Sequence, residues 1–145
     1  MAMPSLLVYA KEAEYRNHFE QSCCGAPVIT HDGIAVNFEP RDFDHCCFSS
    51  SRRNGVKDTF CTVRAGRIDW IVAALQDPSL PLHIGWDSKR KQHDGKSRVA
   101  VVAPDYVVII KLTKPTWARF VTAYVTDATT MAKIVDAPKW QRAGA

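Results

Sequence analysis

From Leu82 to Thr126 the chain reads as four strand-like segments in close succession: Leu82–Trp86, Arg98–Ala103, Tyr106–Leu112 and Ala118–Thr126. The turn at Pro104-Asp105 and the entry after Lys114-Pro115 are tight. A parallel crossover needs about a dozen residues or more, so tightly connected segments pair antiparallel. Ahead of them, Thr59–Gln76 carries Ile68, Ile71, Val72 and Leu75 at i, i+3, i+4 and i+7, the spacing of one helix face. Asp58 is placed as its N-cap, and Asp77-Pro78 as its stop. The predicted layout is α+β, a helix packed on an antiparallel sheet of four or more strands.

The remaining elements are shorter. Leu6–Tyr9 is predicted as a strand, Lys11–Glu20 as a short polar helix or turn, and Ile34–Phe38 as a strand after the turn signal Asp32-Gly33. Phe43–Phe48 is predicted extended, Ser49–Gly55 a loop, Thr129–Val135 a last short helix, and the tail after Pro138 loose. At 145 residues the chain fits a single domain, 1–145, able to bury a core without disulfide or metal staples. No run of about 18 apolar residues occurs, which excludes a transmembrane helix, and the start has no basic region before an apolar stretch. Of the five cysteines, four form the adjacent pairs Cys23-Cys24 and Cys46-Cys47, unlike a disulfide framework, so a reducing cytoplasm is expected.

The net charge of +4 is unevenly distributed. Residues 1–44 hold three basic and seven acidic side chains, giving −4, while the remainder, including 45–140 with the helix and sheet, carries +8. That surplus favours an anionic partner such as nucleic acid, with the acidic N-terminal portion as a candidate shield. Lys89, Arg90, Lys91, Lys96 and Arg98 face only Asp87 and Asp94 in a predicted protruding loop with Trp86 at its base. Such a loop suits phosphates, and equally suits a solvated, charge-rich turn. A second basic group comprises Arg52, Arg53, Lys57, Arg64 and Arg67. Arg64 lies four residues before Ile68, within the apolar stripe, and Arg67 four before Ile71, at its edge. A cation aimed along a core stripe breaks the pattern, and such breaks are expected at functional positions.

On the last strand, alternation puts Val121, Ala123 and Val125 on one face and Phe120, Thr122, Tyr124 and Thr126 on the other. A hydroxyl and a phenol side by side can hold a phosphate, and the ring can stack on a base; both residues are also good strand formers. His45 has the most apolar sequence context of the five histidines and can move a proton at neutral pH, or can be a core histidine satisfied by a backbone carbonyl, or a surface one. Cys23, Cys24, His45, Cys46, Cys47 and Cys61 are candidate metal ligands, but the C-x-x-C spacing of structural zinc is missing.

The string Asp58-Thr59-Phe60…Arg64-Ala65-Gly66-Arg67-Ile68-Asp69-Trp70-Ile71 is followed by Gly85-Trp86-Asp87, Tyr106–Ile110 and Phe120–Val125. Over roughly residues 43–140 this pattern resembles the phage-associated barnase–EndoU–colicin–RelE-like group of ribonuclease-fold domains. The resemblance implies a cytoplasmic, phage- or prophage-encoded, toxin-like ribonuclease. It would cleave RNA, tRNA or another structured RNA included, with no metal or cofactor, and an inhibitor protein would restrain it. The ribose 2′-hydroxyl would attack the adjacent phosphate. On this chain His45 would be acid or base and Arg64 the phosphate clamp, with Thr122 and Tyr124 orienting the phosphate or stacking a base. Arg67, Trp86, Lys89, Arg90, Lys91 and Lys111 would bind substrate. The alternatives are a non-catalytic nucleic-acid-binding module and a phage protein whose basic face contacts an acidic host protein.

Overall fold

The computed structural model describes residues 3–50, 58–87 and 89–140. Arg52, Arg53, Lys57 and most of the loop Ser49–Gly55 therefore lie outside the described residues. Helix α1 (Glu12–Phe19) runs into a π-helical turn, Glu20–Cys24, followed by strands β1 (Val28–Ile29) and β2 (Ala35–Asn37) and helix α2 (Asp42–Cys47). Strands β3 (Phe48–Ser49) and β4 (Thr59–Phe60) pair with each other, and helices α3 (Thr62–Ala65) and α4 (Ile68–Gln76) follow. Then come β5 (Leu82–Ile84), the small pair β6 (Trp86–Asp87) and β7 (Gln92–His93), and the longer β8 (Arg98–Val102), β9 (Tyr106–Lys114) and β10 (Trp117–Val125). Helix α5 (Ala128–Asp136) is last. Among the described residues, no helix is long and apolar enough to cross a membrane.

The fold is α+β, built on a six-stranded sheet of order β1-β2-β10-β9-β8-β5. The run β5-β8-β9-β10 is antiparallel, as the short connections require for β8, β9 and β10; β5 joins β8 across residues 85–97, long enough for either direction, and its register is antiparallel. The sheet as a whole is mixed, because β2 pairs parallel with β10. That pairing joins segments far apart in the chain, and everything from α2 to β9 serves as its crossover, so the short-connection argument does not reach it. The charge boundary at residue 44 is not a structural one. It falls inside α2, and the acidic portion contributes β1, β2, Phe19, Val36 and Phe38 to the sheet and main core.

Four expectations change, each for a local physical reason. Phe43–Phe48 is not extended but mostly helix α2: Phe43, Cys46 and Cys47 fall at i, i+3 and i+4 and are all buried. The predicted helix Thr59–Gln76 is broken. Thr59 and Phe60 pair with β3, and the helix is interrupted at Gly66-Arg67, where Leu7 N–H donates to the Gly66 carbonyl at 2.9 Å. A Cβ on Gly66 would meet Thr62 O at 3.0 Å and Leu7 O at 3.2 Å, so the crossing N-terminal segment needs the glycine. Leu6–Tyr9 is not a strand of any sheet; it lies along α3 and α4, where Trp70 Nε1 donates to Pro4 O at 2.7 Å. The tail is held as far as it is described. Ile84 N donates to Pro138 O and Trp140 N to Leu82 O, which binds residues 138–140 along β5.

The main core lies on one face of the sheet, under α1, α2 and α4. Phe38 stacks on Phe120 at 4.7 Å between ring centres, and Phe19 meets Phe43 edge-on at 5.9 Å. The opposite face carries a smaller cluster, Ala100, Val102, Val107 and Ile109, on which Met131 and Ile134 of α5 rest. A β-bulge separates the two faces along β10. Phe120 pairs with Ile110 and Thr122 with Ile109, leaving Val121 as the extra residue. Before the bulge Ala118 and Phe120 point into the main core; after it Ala123 and Val125 do. Phe120 and Val121 therefore exchange the faces that simple alternation assigns them, while Thr122 and Tyr124 stay on the side of α5.

Candidate functional site

Strand β2 covers β10 only over Trp117–Arg119. Beyond the bulge, among the described residues, no strand pairs with that edge of β10, and α2 and α3 pack against the strand. Helix α2 buries Phe43, Cys46 and Cys47, which leaves His45 on its outer side, at the rim of the sheet. Helix α3 brings Arg64 to the same rim, within electrostatic reach of Tyr124 and Cys46.

The result is a groove of about 660 Å³ between α5 and the sheet. Ala100, Ile109 and Val121 provide apolar lining, with Thr122 and Tyr124 beside them. His45 enters from α2, Lys133 from α5, and Trp86, His93 and Arg98 from the β6–β7 pair and the start of β8. Trp86 and His93 are cross-strand partners, with rings edge-to-face at 5.2 Å. Burial pushes the Tyr124 phenol up and the Arg64 charge partly opposes it, so at neutral pH Tyr124 is a hydrogen-bond donor. Among the described residues, no acidic side chain lines the groove and no carboxylate lies within 4.0 Å of the Arg64 side chain.

Arg98 is the best-anchored cation in this wall. Its side chain is 12% exposed and reaches Asp87 at 3.7 Å and Asp94 at 3.6 Å, and its Nε is buried without a hydrogen-bond partner. Burial works against the Asp87 carboxylate, but the Arg90 and Lys89 backbone N–H groups and the Arg98 charge outweigh it and hold the carboxyl below its usual range. The Ser97 hydroxyl does the same for Asp94, assisted by backbone N–H groups and Arg98.

Comparison with protein families, curated proteins and solved structures finds no match.

The residues singled out in the sequence separate into three sets. His45, Thr122, Tyr124 and Trp86 line the groove, and Arg64 stands at its rim. Lys89, Arg90 and Lys91 form the exposed turn between β6 and β7, and Lys111 lies on β9 opposite Arg98, outside the groove lining. Arg67 belongs elsewhere. Its Nη1 donates to Val63 O at 2.7 Å, its guanidinium sits 4.7 Å over the Trp70 ring, and its carbonyl accepts from Tyr106, so it fastens the helix break to the core. Sequence reasoning did not single out His93 or Lys133 and took Arg98 only as loop charge. The available signal was the pairing of Trp86 with His93 across a short turn, which was obscured by the lysines between them.

The five cysteines are free thiols, with Cys46 and Cys47 Sγ atoms 3.5 Å apart in the core. Among the described residues, no group of three or more His, Cys, Asp or Glu side chains is arranged to hold a metal ion.

Proposed function

We propose that the groove is the active site of a metal-independent endoribonuclease with the barnase–EndoU–colicin–RelE-like architecture. The observation that carries this reading is the convergence of His45 with Thr122, Tyr124, His93, Arg98 and Lys133 around one cavity that no carboxylate lines among the described residues, with Arg64 at its rim. Two imidazoles, several cations and two hydroxyls are the groups that phosphodiester transfer needs when no metal supplies the charge.

In the proposed reaction one histidine, His45 or His93, takes the proton from the ribose 2′-hydroxyl as that oxygen attacks phosphorus. The bond from phosphorus to the 5′ oxygen breaks, and the other histidine protonates the departing oxygen. The products are a 2′,3′-cyclic phosphate and a free 5′-hydroxyl. Arg64, with Lys133 from α5, neutralises the charge that builds on the non-bridging oxygens, and Tyr124 and Thr122 donate hydrogen bonds to them. Trp86, 51% exposed, offers a stacking surface for a flanking base.

The test is incubation of the protein with total RNA and with tRNA in EDTA, beside the double variant His45→Ala, Arg64→Ala. Cleavage by the wild type that the variant loses supports the reading. RNA left equally intact by both proteins, or cleavage that EDTA abolishes, overturns it.

A further inference from the structure

We infer that the part of the sheet's open face beside α5 is a track for single-stranded RNA, along which the strand runs on from the groove. The inference takes its ligand from the nuclease reading and deepens it. Among the described residues, helix α5 packs on the part of this face built from Ala100, Val102, Val107 and Ile109. Next to that part, the registers set Arg98 opposite Lys111 and Lys111 opposite Arg119. The parallel pairing with β2 then sets Asn37 opposite Arg119. Paired positions on neighbouring strands point the same way, so β8, β9 and β10 present three cations side by side, ending in an amide.

Like charges directly opposite each other on a sheet repel. Arg98 is compensated by Asp87 and Asp94. Among the described residues, neither Lys111 nor Arg119 has a carboxylate within 4.0 Å. The row thus holds positive charge without a carboxylate partner among the described residues, which a bound anion can complete. At about 4.8 Å per strand it spans about 10 Å, the scale of two successive phosphates on an extended strand.

Two aromatic surfaces bracket the row. Trp86 stands beyond Arg98, in the groove wall. Trp117 is 44% exposed and lies two residues from Arg119 on the same face of β10, opposite Ala35 as Arg119 is opposite Asn37. Cations in line with flat rings on a sheet are suited to unstacked bases joined by phosphates. A duplex keeps its bases stacked on one another and leaves the rings without partners. An acidic protein segment would meet the charges but make no use of the two exposed indoles.

The experiment measures binding of a labelled, non-cleavable 2′-O-methyl RNA strand of about 12 nucleotides by fluorescence anisotropy. Removing two phosphate contacts with Lys111→Gln plus Arg119→Gln should weaken binding about 25-fold near 0.1 M salt and flatten the log–log salt slope by about 1.4. Trp117→Ala should weaken binding about fivefold or more through lost stacking. The pair Lys11→Gln, Arg41→Gln removes the same charge away from this face and should leave affinity within about twofold. Circular dichroism melts confirm that each variant is folded.

Unchanged affinity in the Lys111/Arg119 variant overturns the track. So does an equal loss in the Lys11/Arg41 control, which would report net charge alone. Equal affinity for a duplex, or for polyglutamate, overturns the single-stranded RNA assignment. Cleavage of the unmodified strand by the wild type reads the nuclease function separately. Cleavage with no effect of the variants on binding removes the track only, binding without cleavage removes the nuclease only, and neither binding nor cleavage removes both.

Discussion

Alanine at position 85 would place a methyl carbon 2.9 Å from Arg98 Cβ and 3.3 Å from the Arg98 carbonyl carbon. Both atoms belong to the start of β8, whose carbonyl accepts from Gly85 N–H at 2.9 Å, so no side-chain rotation relieves the contact. The chain segments must move apart, and strain of this kind costs about 1–3 kcal/mol. The movement also shifts Arg98 relative to Asp87 and Asp94 and deforms the groove wall that Arg98 shares with Trp86 and His93. Gly95 is the internal control. A Cβ there first meets Ile84 Cδ1 at 3.6 Å, an ordinary contact, so Gly95→Ala should be neutral or gain up to about 1 kcal/mol by restricting the unfolded chain. Urea unfolding followed by tryptophan fluorescence measures both variants. With a slope of about 2 kcal/mol/M, the Gly85→Ala midpoint should fall by about 1 M. Gly85→Ala within about 0.3 kcal/mol of wild type, or an equal loss in Gly95→Ala, would refute the close-approach argument.

The main core predicts that Phe120→Ala, which removes the partner stacked on Phe38, loses about 3–5 kcal/mol in the same assay; a loss under about 1.5 would contradict its placement. Asp77, Asp94 and Asp127 are held below the usual carboxylate range, by the Ser79 and Ser97 hydroxyls and the Thr130 backbone N–H respectively. Their contribution is complete above the unfolded value of about 3.9 and is lost as pH falls through the lower folded values. Melting temperature should therefore drop on acidification below about pH 4, and drop less in Asp94→Asn; equal acid sensitivity would count against Asp94. Arg119→Thr removes a cross-strand repulsion with Lys111 and should raise stability by about 0.2–1 kcal/mol while RNA affinity falls; a clear loss of stability would show that the charge is compensated. Burial pushes the Cys23 thiol up to about 12 and Cys24 to about 11, so iodoacetamide near pH 8 should leave both unlabelled in the native state; prompt labelling of both would contradict the packing of the π-helical turn.

The parts of the fold legible in the sequence are those governed by local period and short connections. The antiparallel pairing of β8, β9 and β10 follows from tight turns, and Ile68, Ile71 and Leu75 are buried on one face of α4 as their spacing requires. What escaped depends on distant chain. The helix break at Gly66 is set by Leu7 crossing it, and the parallel β2–β10 pairing links residues on either side of most of the fold. The bulge at Val121 is one added residue, yet it exchanges the faces of Phe120 and Val121. For the site, His45 was found from its apolar sequence neighbours, although they act by forming α2 and leaving the histidine outward. Arg64 stood out as a cation on an apolar stripe; its position is explained by a separate short helix at the open edge of β10. His93 and the Arg98–Lys111–Arg119 row were beyond the sequence because only strand register brings them together.

The proposed activity of this groove is cleavage of RNA through the ribose 2′-hydroxyl. Phosphorus NMR of a short RNA incubated with the protein in EDTA tests it most directly. A 2′,3′-cyclic phosphate resonance is expected with the wild type, none with His45→Ala plus Arg64→Ala, and none when the attacking 2′-hydroxyl is replaced by hydrogen. Cleavage that proceeds without the 2′-hydroxyl, or no cleavage of any RNA by the wild type, would contradict it.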